Sequence, residues 1–145
     1  MNDLGILDLH HVGIAVGDLA AARALYLEAL GLEDAGSDRV ESQGVRLFFA
    51  RAGRGLVECL EPERPDSPLA RFLERRGPGL HHIAYRVRDL VATLEELRRR
   101  GARLVDEKPR PGAHGTRIAF VHPSATGGVL TEFVEDSLTD PKGAR

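Results

Sequence analysis

Two copies of one short sequence each place a pair of histidines at the start of an apolar stretch. HHVGIAVGDL begins at His10 and HHIAYRVRDL begins at His81, and five of their ten positions are identical. Each half of the chain then closes with an apolar segment that contains a glutamate, Glu58 in LVECLEP and Glu132 in VLTEFVED. The glutamates follow the second histidine of their halves by 47 and 50 residues. Because the repeat includes potential ligands as well as apolar residues, it predicts two half-sites that meet.

Two imidazoles and two carboxylates form the candidate metal ligands, which are His11, His82, Glu58 and Glu132. This donor set suits Co²⁺, Mn²⁺, Ni²⁺, Fe²⁺ or Zn²⁺ and lacks the thiolates of structural zinc sites. An octahedral metal would keep two positions for substrate oxygens and would stabilise an enolate once a neighbouring proton is removed. Glu58 and Glu132 are then also candidate bases. The alternative is structural, since single histidines in strands are more often structural than ligating and single glutamates are usually solvated.

Turn and capping residues divide the sequence into two similar modules of about 7–76 and 80–136. Strands are predicted over residues 7–16, 40–51, 56–60, 81–87, 103–105, 117–122 and 129–134, and helices over 19–30, 69–76 and 90–100. Asp18 and Asp89 are suitable N-caps for the first and last of these helices. The final residues, SLTDPKGAR, are predicted to be frayed. The pattern predicts an α+β fold in which both modules form one domain over residues 1–145.

Strand periodicity predicts which side chains share a face. In the first strand, His11 lies on one face with the small residues two and four positions further on. These small residues leave room beside the histidine, and the bulky residues of the other face are expected to pack on the helices. His10 and His81 are expected to point away from their neighbours, so that each pair offers one ligand to a given face. Cys59 follows Glu58 directly and is expected to point away from it, as a buried apolar residue rather than a nucleophile.

Composition argues against several classes of protein. The chain has 145 residues and a net charge of −2, which does not suit a bulk nucleic-acid binder. Its apolar runs are too short to span a bilayer, and its start lacks a basic segment followed by an apolar one. The single cysteine permits no intramolecular disulfide and fits a reducing compartment. We therefore expect a cytoplasmic protein that binds neither nucleic acid nor membrane.

Longer segments add a family resemblance. They are VESQGVRLFF, ECLEPERPDSPLARFLERRGPGLHHIAYRV, PRPGAHGTRIAFVHP and TGGVLTEF, and with the first histidine pair they extend from about Leu9 to Glu135. Together they resemble the vicinal-oxygen-chelate superfamily, also called the glyoxalase or bleomycin-resistance fold. Within it, DSPLARFLERRGPGLHHIA and GAHG followed by FVHP are most similar to the methylmalonyl-CoA epimerases.

The resemblance implies a U-shaped half-barrel sheet of two βαβββ modules around a metal-binding cleft, in a homodimer. It implies that His11, His82 and Glu132 bind the metal, with Glu58 at the fourth position and Co²⁺ as the first candidate ion. The implied reaction interconverts the (2R) and (2S) forms of methylmalonyl-CoA, a step of propionate metabolism, by proton removal at C2 through a metal-stabilised enolate. The partner would be an acyl-CoA substrate.

Four further residues bear on this implied site. Some epimerases carry a glutamate proposed as a base in the strand after QGV, and Leu47 occupies the aligned place here. Glu58 and Glu132 are therefore the candidate bases. His114 and Gly115 of the GAHG loop are candidate substrate contacts, and the alternative for this loop is a tight turn with a surface histidine. Ser124, where many relatives have lysine, is a candidate contact that would hold a phosphate or carboxylate more weakly.

Three other functions share parts of the pattern. A glyoxalase I-type lactoylglutathione lyase uses the same enolate chemistry, but the segments DSPLARFLERRG and GAHG favour the epimerase. Drug-binding proteins of this fold often lack the metal ligands, which are intact here. An extradiol dioxygenase would need two histidines and one carboxylate around Fe²⁺, usually in a longer chain. The sequence therefore predicts an isomerase.

Overall fold

The computed structural model describes residues 3–136, so the predicted fraying of SLTDPKGAR lies outside the described residues. Contacts divide the chain into two compact units. One is His11–His82, and the other comprises the residues before His11 together with those from Ile83 onwards. Within residues 3–136, no helix is long and apolar enough to cross a membrane.

The first module lies in the unit His11–His82, apart from Ile6–His10 at the start of its first strand, which belong to the other unit. Its elements are β1 (Ile6–Ala15), α1 (Leu19–Arg23, followed by a π-helical turn over Ala24–Ala29), β2 (Glu33–Val40), β3 (Val45–Ala52), β4 (Gly55–Pro62) and α2 (Pro68–Arg76). The strand order is β2-β3-β4-β1, with β1 parallel to β4 and the other pairs antiparallel. As predicted, α1 begins after Asp18, whose carboxylate accepts a hydrogen bond from the N–H of Ala21.

Packing against α1 decides which way the side chains of β3 and β4 point. The buried residues at the centre of this contact are Ala22, Phe48, Ala50 and Cys59. Because side chains alternate along a strand, Phe49 and Glu58 point to the opposite face. The prediction that Cys59 is a buried apolar residue is confirmed, since it is fully buried within this cluster.

The predicted single strand over residues 40–51 is wrong. The structure has two strands here, β2 and β3, separated by a 3₁₀ turn over Glu41–Gln43 and by Gly44, whose φ of 68° suits glycine. β2 is the edge strand of the sheet and pairs with β3 alone. Its sequence EDAGSDRV is mostly polar because an edge strand packs little apolar surface, and periodicity therefore did not reveal it.

The second module contains the remaining elements, and Gly79–His82 at the start of its first strand belong to the unit His11–His82. These elements are β5 (Gly79–Val87), α3 (Leu90–Arg99), β6 (Arg110–Pro111), β7 (Arg117–Val121) and β8 (Thr131–Glu135). The strand order is β5-β8-β7-β6, with β5 parallel to β8. One face packs on α3 through Val87, Leu90, Leu94, Ala119, Val121 and Phe133.

The predicted strand over residues 103–105 is reduced to a single bridge between Leu104 and Val121. Strand β7 pairs instead with β6, whose two residues come later in the chain. Proline has no backbone N–H to donate, and Pro111 is one of the two residues of β6. A strand this short leaves no periodic pattern, and the sequence therefore indicated only a loop.

Eight strands form one sheet in the order β2-β3-β4-β1-β5-β8-β7-β6. Each half of the chain follows the order strand, helix, strand, strand, strand. The predicted α+β class with two tandem βαβββ modules is therefore confirmed.

Candidate metal centre

Strand register places two polar side chains of the first unit, those of His11 and Glu58, on one face. Gly13 of β1 pairs with Glu58 of β4, and Phe49 of β3 pairs with Glu58 from the other side. His11 lies two residues before Gly13 and therefore shares its face. Its ring packs edge-on against Phe49, with centroids 5.3 Å apart. This face lies opposite the one that packs on α1.

His11, His82 and Glu58 converge on this face. The Nε2 atoms of His11 and His82 lie 2.9 Å apart. Oε1 of Glu58 lies 3.2 Å from the first nitrogen and 3.3 Å from the second. The three residues are buried, with at most 5% of each exposed. Three ligand atoms therefore meet between side chains that are almost fully buried.

These separations fit a divalent metal. Two neighbouring ligands of an octahedral ion with bonds of about 2.1 Å lie about 3.0 Å apart. The N···N and N···O distances of 2.9 to 3.3 Å are of this size. Imidazole and carboxylate are also the donors that first-row divalent metals accept. By geometry and by donor type, the residues present fit such an ion.

The charge of Glu58 is stabilised in this cluster. Burial by itself raises its pKa, but the charges and hydrogen bonds of His11 and His82 outweigh burial and hold the pKa of Glu58 at about 2. The carboxylate is therefore ionised at neutral pH, as a metal ligand must be. On the other side of β4, burial and then the Glu58 charge raise the pKa of Cys59 to about 12. The thiol is therefore neutral and unreactive.

Glu132 lies on β8, where it pairs with Ala84 of β5. His82 precedes Ala84 by two residues on the same strand, so His82, Ala84 and Glu132 point to one face. His11, His82 and Glu132 each offer a ligand atom, and these atoms lie within 4.8 Å of one another. Glu132 is 5% exposed. The first unit brings His11, His82 and Glu58 together, and Glu132 lies on the face of β8 that it shares with Ala84.

Gly13 gives His82 its space. A Cβ atom on Gly13 would lie 2.0 Å from Cε1, 2.3 Å from Nδ1 and 2.6 Å from Nε2 of His82. No real contact is that short. The sequence predicted that small residues leave room beside His11 on the same strand; the structure shows that Gly13 makes room for His82 of the other repeat.

His81 contacts the ring of its neighbour, contrary to the expectation that it points away. Its Nδ1 lies 2.9 Å from Nδ1 of His82, and its ring packs edge-on against Phe72 of α2 at 4.8 Å. The Cβ atoms of His81 and His82 point to opposite faces of the strand, as alternation requires. The Nδ1 atom of each ring lies close to the backbone, however, and the two rings turn toward each other. A hydrogen bond at Nδ1 holds the orientation of His82 and directs Nε2 toward the cluster.

The remaining predicted site residues lie elsewhere in the second unit. His114 has φ 55° and ψ 38°, a left-handed conformation that is uncommon outside glycine, and Gly115 follows with φ 75°. The N–H and hydroxyl of Thr116 both donate to the carbonyl of Ala113, which closes this loop. The GAHG segment is thus a tight turn, as the alternative interpretation expected, whether or not it also contacts substrate.

Ser124 lies in the turn between β7 and β8, where its Oγ is 2.8 Å from Nδ1 of His122. It lines a cavity of about 550 Å³, which also includes Arg103 and Phe133. Phe133 and Glu132 are consecutive on β8 and point to opposite faces. The structure therefore places Ser124 on the side of the second unit that packs on α3, away from Glu132.

Leu47 lies on the same face as Glu58. It pairs with Leu60, which follows Glu58 by two residues on β4, and it is 1% exposed. An apolar side chain that cannot transfer a proton thus lines the candidate site where the resemblance places a base.

Comparison with known proteins shows the family. The family description of the Glyoxalase/Bleomycin resistance protein/Dioxygenase superfamily matches residues 10–120. The chain belongs to this superfamily. A superfamily member from Cereibacter sphaeroides, ethylmalonyl-CoA/methylmalonyl-CoA epimerase, is 40% identical over 126 residues, which are 86% of this chain and 94% of that protein.

Solved structures of superfamily members agree with this. A methylmalonyl-CoA epimerase in complex with methylmalonyl-CoA and NH4+ has a TM-score of 0.89 and 35% identity, and the match covers 93% of this chain and 98% of that one. The methylmalonyl-CoA epimerase of Mycobacterium tuberculosis has a TM-score of 0.88 and 38% identity, covering 98% and 94%. The predicted resemblance to epimerases of this superfamily, and with it the assignment to an enzyme family, is confirmed.

Proposed function

We propose that this protein is a methylmalonyl-CoA epimerase that interconverts the (2R) and (2S) forms of its substrate. The observation that carries this proposal is the convergence of His11, His82 and Glu58 to within 3.3 Å in a chain whose relatives are such epimerases. The C2 proton of methylmalonyl-CoA lies between a thioester and a carboxylate, so its removal gives an enolate that needs charge stabilisation.

The proposed ligands are His11, His82, Glu58 and Glu132, with Co²⁺ as the first candidate ion. When bound, a divalent metal would supply Lewis-acid stabilisation of the negative charge on the thioester oxygen. The chain itself orients both imidazoles through packing on Phe49 and through the His81 contact. It also keeps water from the cluster, since each ligand is at least 95% buried.

We assign proton transfer at C2 to Glu132 and Glu58, because Leu47 occupies the position at which some epimerases carry another candidate base. The pKa of Glu58, at about 2, makes its carboxylate a weak base and favours its role as a ligand. Glu132 is therefore the stronger candidate for the group that removes the proton. Glu132 and Glu58 are each replaced by glutamine, and proton exchange at C2 is followed separately for the (2R) and (2S) epimers. The epimer whose exchange is lost identifies the face of C2 that the replaced glutamate serves.

Substrate contacts at His114, Gly115 and Ser124 belong to the same proposal. His114 and Gly115 are both exposed in a tight turn with left-handed backbone, where a substrate can reach them. Ser124 has the weaker support, because its cavity lies on the α3 side of the unit. We also propose a cytoplasmic homodimer. Light scattering on the purified protein tests the dimer.

A proton-exchange assay tests the function. Metal-loaded protein is incubated with (2S)-methylmalonyl-CoA in D₂O, with and without EDTA, and epimer composition and C2 deuterium are followed. We expect metal-dependent epimerisation with deuterium incorporation above the spontaneous rate. No acceleration would refute the epimerase, and turnover of the glutathione hemithioacetal instead would favour the lyase.

A pair of histidine variants tests the ligand assignment within the same assay. His82→Ala is expected to lose metal and activity while it keeps its fold, because the helices and cores do not include His82. His10→Ala is the matched control, since His10 precedes His11 on β1 and points to the other face. A His82→Ala protein with full metal content would contradict the assignment.

A further inference from the structure

Arg110 shares a face with Glu132 in the second unit. It pairs with Ile118 across β6 and β7, and Phe120, two residues further along β7, pairs with Glu132 of β8. Directly paired residues and alternate residues point the same way. Neighbouring strands are about 4.8 Å apart and alternate residues about 6.8 Å apart, which puts the two Cα atoms roughly 12 Å from each other.

The guanidinium of Arg110 is held in place from two sides. Its Cζ lies 5.7 Å from the centre of the Phe120 ring. Oδ1 of Asp106 lies 3.2 Å from Nε, and Oδ2 of Asp106 accepts a hydrogen bond from the N–H of Phe120. The ring and the carboxylate therefore fix the orientation of the arginine.

The hydrogen-bonding capacity of Arg110 is not used by the described residues. A guanidinium has five N–H donors, and no residue in 3–136 accepts a hydrogen bond from this one. Its buried Nε has no hydrogen-bond partner of good geometry within that range, despite the nearby Asp106. By contrast Arg117, which points to the other face of β7, donates to Glu135. Asp106 balances the charge of Arg110 but leaves its guanidinium donors without a well-aligned acceptor among the described residues, which indicates that they are available to a ligand.

The duplicated position in the first unit carries the opposite charge. There Asp38 pairs with Leu47, two residues before Phe49, which pairs with Glu58. The register matches that of Arg110, Ile118, Phe120 and Glu132. The fold therefore accepts either charge at this position, and a cation beside Glu132 is not a requirement of the strand pairing.

We propose that Arg110 is a specificity-determining residue that binds an anionic oxygen group of the acyl-CoA substrate. The group is either the acyl carboxylate or a phosphate of the CoA carrier, since both are oxyanions that a guanidinium binds with two parallel hydrogen bonds. This inference rests on the proposed function for the identity of the substrate. It adds a residue from β6 to a site that is otherwise built on β1, β4, β5 and β8.

Equilibrium binding tests the proposal without relying on turnover. Dissociation constants are measured for the full chain, Arg110→Gln and Arg110→Lys, with methylmalonyl-CoA, with methylmalonyl-pantetheine, which lacks the nucleotide phosphates, and with propionyl-CoA, which lacks the carboxylate. Arg117→Gln is the matched control. Arg110→Gln is expected to bind methylmalonyl-CoA roughly ten- to a hundredfold more weakly, with partial recovery in Arg110→Lys and with unchanged Tm and metal content.

The two smaller ligands identify the group that is bound. Weaker binding of methylmalonyl-pantetheine alone assigns the carboxylate, and weaker binding of propionyl-CoA alone assigns a phosphate. Affinities within twofold of the wild-type protein for all three ligands, or an equal loss in Arg117→Gln, would overturn the proposal. Wild-type protein that binds these thioesters through Arg110 but does not epimerise them would refute the proposed function and leave the role of Arg110 intact.

Discussion

Replacement of Gly13 by alanine tests the candidate metal centre with one methyl group. The new Cβ would lie 2.0 Å from Cε1 of His82, whereas ordinary contacts begin at 3.4 Å. The imidazole must therefore withdraw by about 1.4 Å. Metal–ligand distances tolerate changes of only about 0.2 Å, so Nε2 of His82 leaves the ligand position.

We expect Gly13→Ala to bind Co²⁺ at least about a hundredfold more weakly, because loss of supporting contacts alone already costs ten- to a hundredfold. The cost to the free energy of unfolding is expected to be about 1–3 kcal/mol, as for other overpacked cores. Titration with Co²⁺, followed by absorbance, measures the affinity, and urea unfolding of the metal-free protein measures the stability.

Gly17→Ala is the matched control for this experiment. Gly17 follows β1 closely, and a Cβ there would meet nothing within 4 Å. It is expected to bind Co²⁺ as the wild-type protein does. If Gly13→Ala bound Co²⁺ within threefold of wild type, the ring of His82 would have another position from which to bind, or would not be a ligand, and the reasoning would be refuted.

Three residues in or next to the candidate metal centre give further predictions. His81→Ala is expected to lower Co²⁺ affinity about ten- to a hundredfold with little change in Tm, since it removes the contact that orients His82; an unchanged affinity would count against that role. Cys59, fully buried with its pKa raised to about 12, is expected to resist a thiol reagent at pH 8 until urea unfolds the protein, and rapid native labelling would contradict this. The pKa of Glu58 falls from 4.5 to about 2 on folding, so the stabilisation it gives is complete above pH 4.5 and is lost as pH falls toward 2. Acid unfolding of metal-free Glu58→Gln is therefore expected to be less steep in this window, and an identical slope would argue against the shift.

Much of the candidate site could be predicted from the sequence because it is repeated and because strands have a period of two. The position of His11 relative to Glu58 follows from alternation once β1 and β4 are paired in parallel. The same argument places His82 on the face of Glu132 through Ala84. Only the pairings of β1 with β4 and of β5 with β8 had to come from the structure.

Other features depend on contacts that no short pattern records. β2 is polar because it lies at the edge of the sheet, and the Gly44 turn is visible only once β2 is known. The His81 contact depends on rotamers, which periodicity does not set. The role of Arg110 depends on pairing across β6, a strand of two residues between a proline-rich loop and a turn.

All four proposed ligands lie on strands, and those strands, β4, β1, β5 and β8, are consecutive in the sheet order. The outer strands β2, β3, β7 and β6 contribute Asp38, Leu47, Ile118 and Arg110 to the same faces. Mutational libraries restricted to these outer positions would therefore change the walls beside the proposed metal centre and leave the proposed ligands unchanged. Such a division between a chemical centre and exchangeable walls would let laboratory evolution vary ligand binding without replacing the proposed ligands.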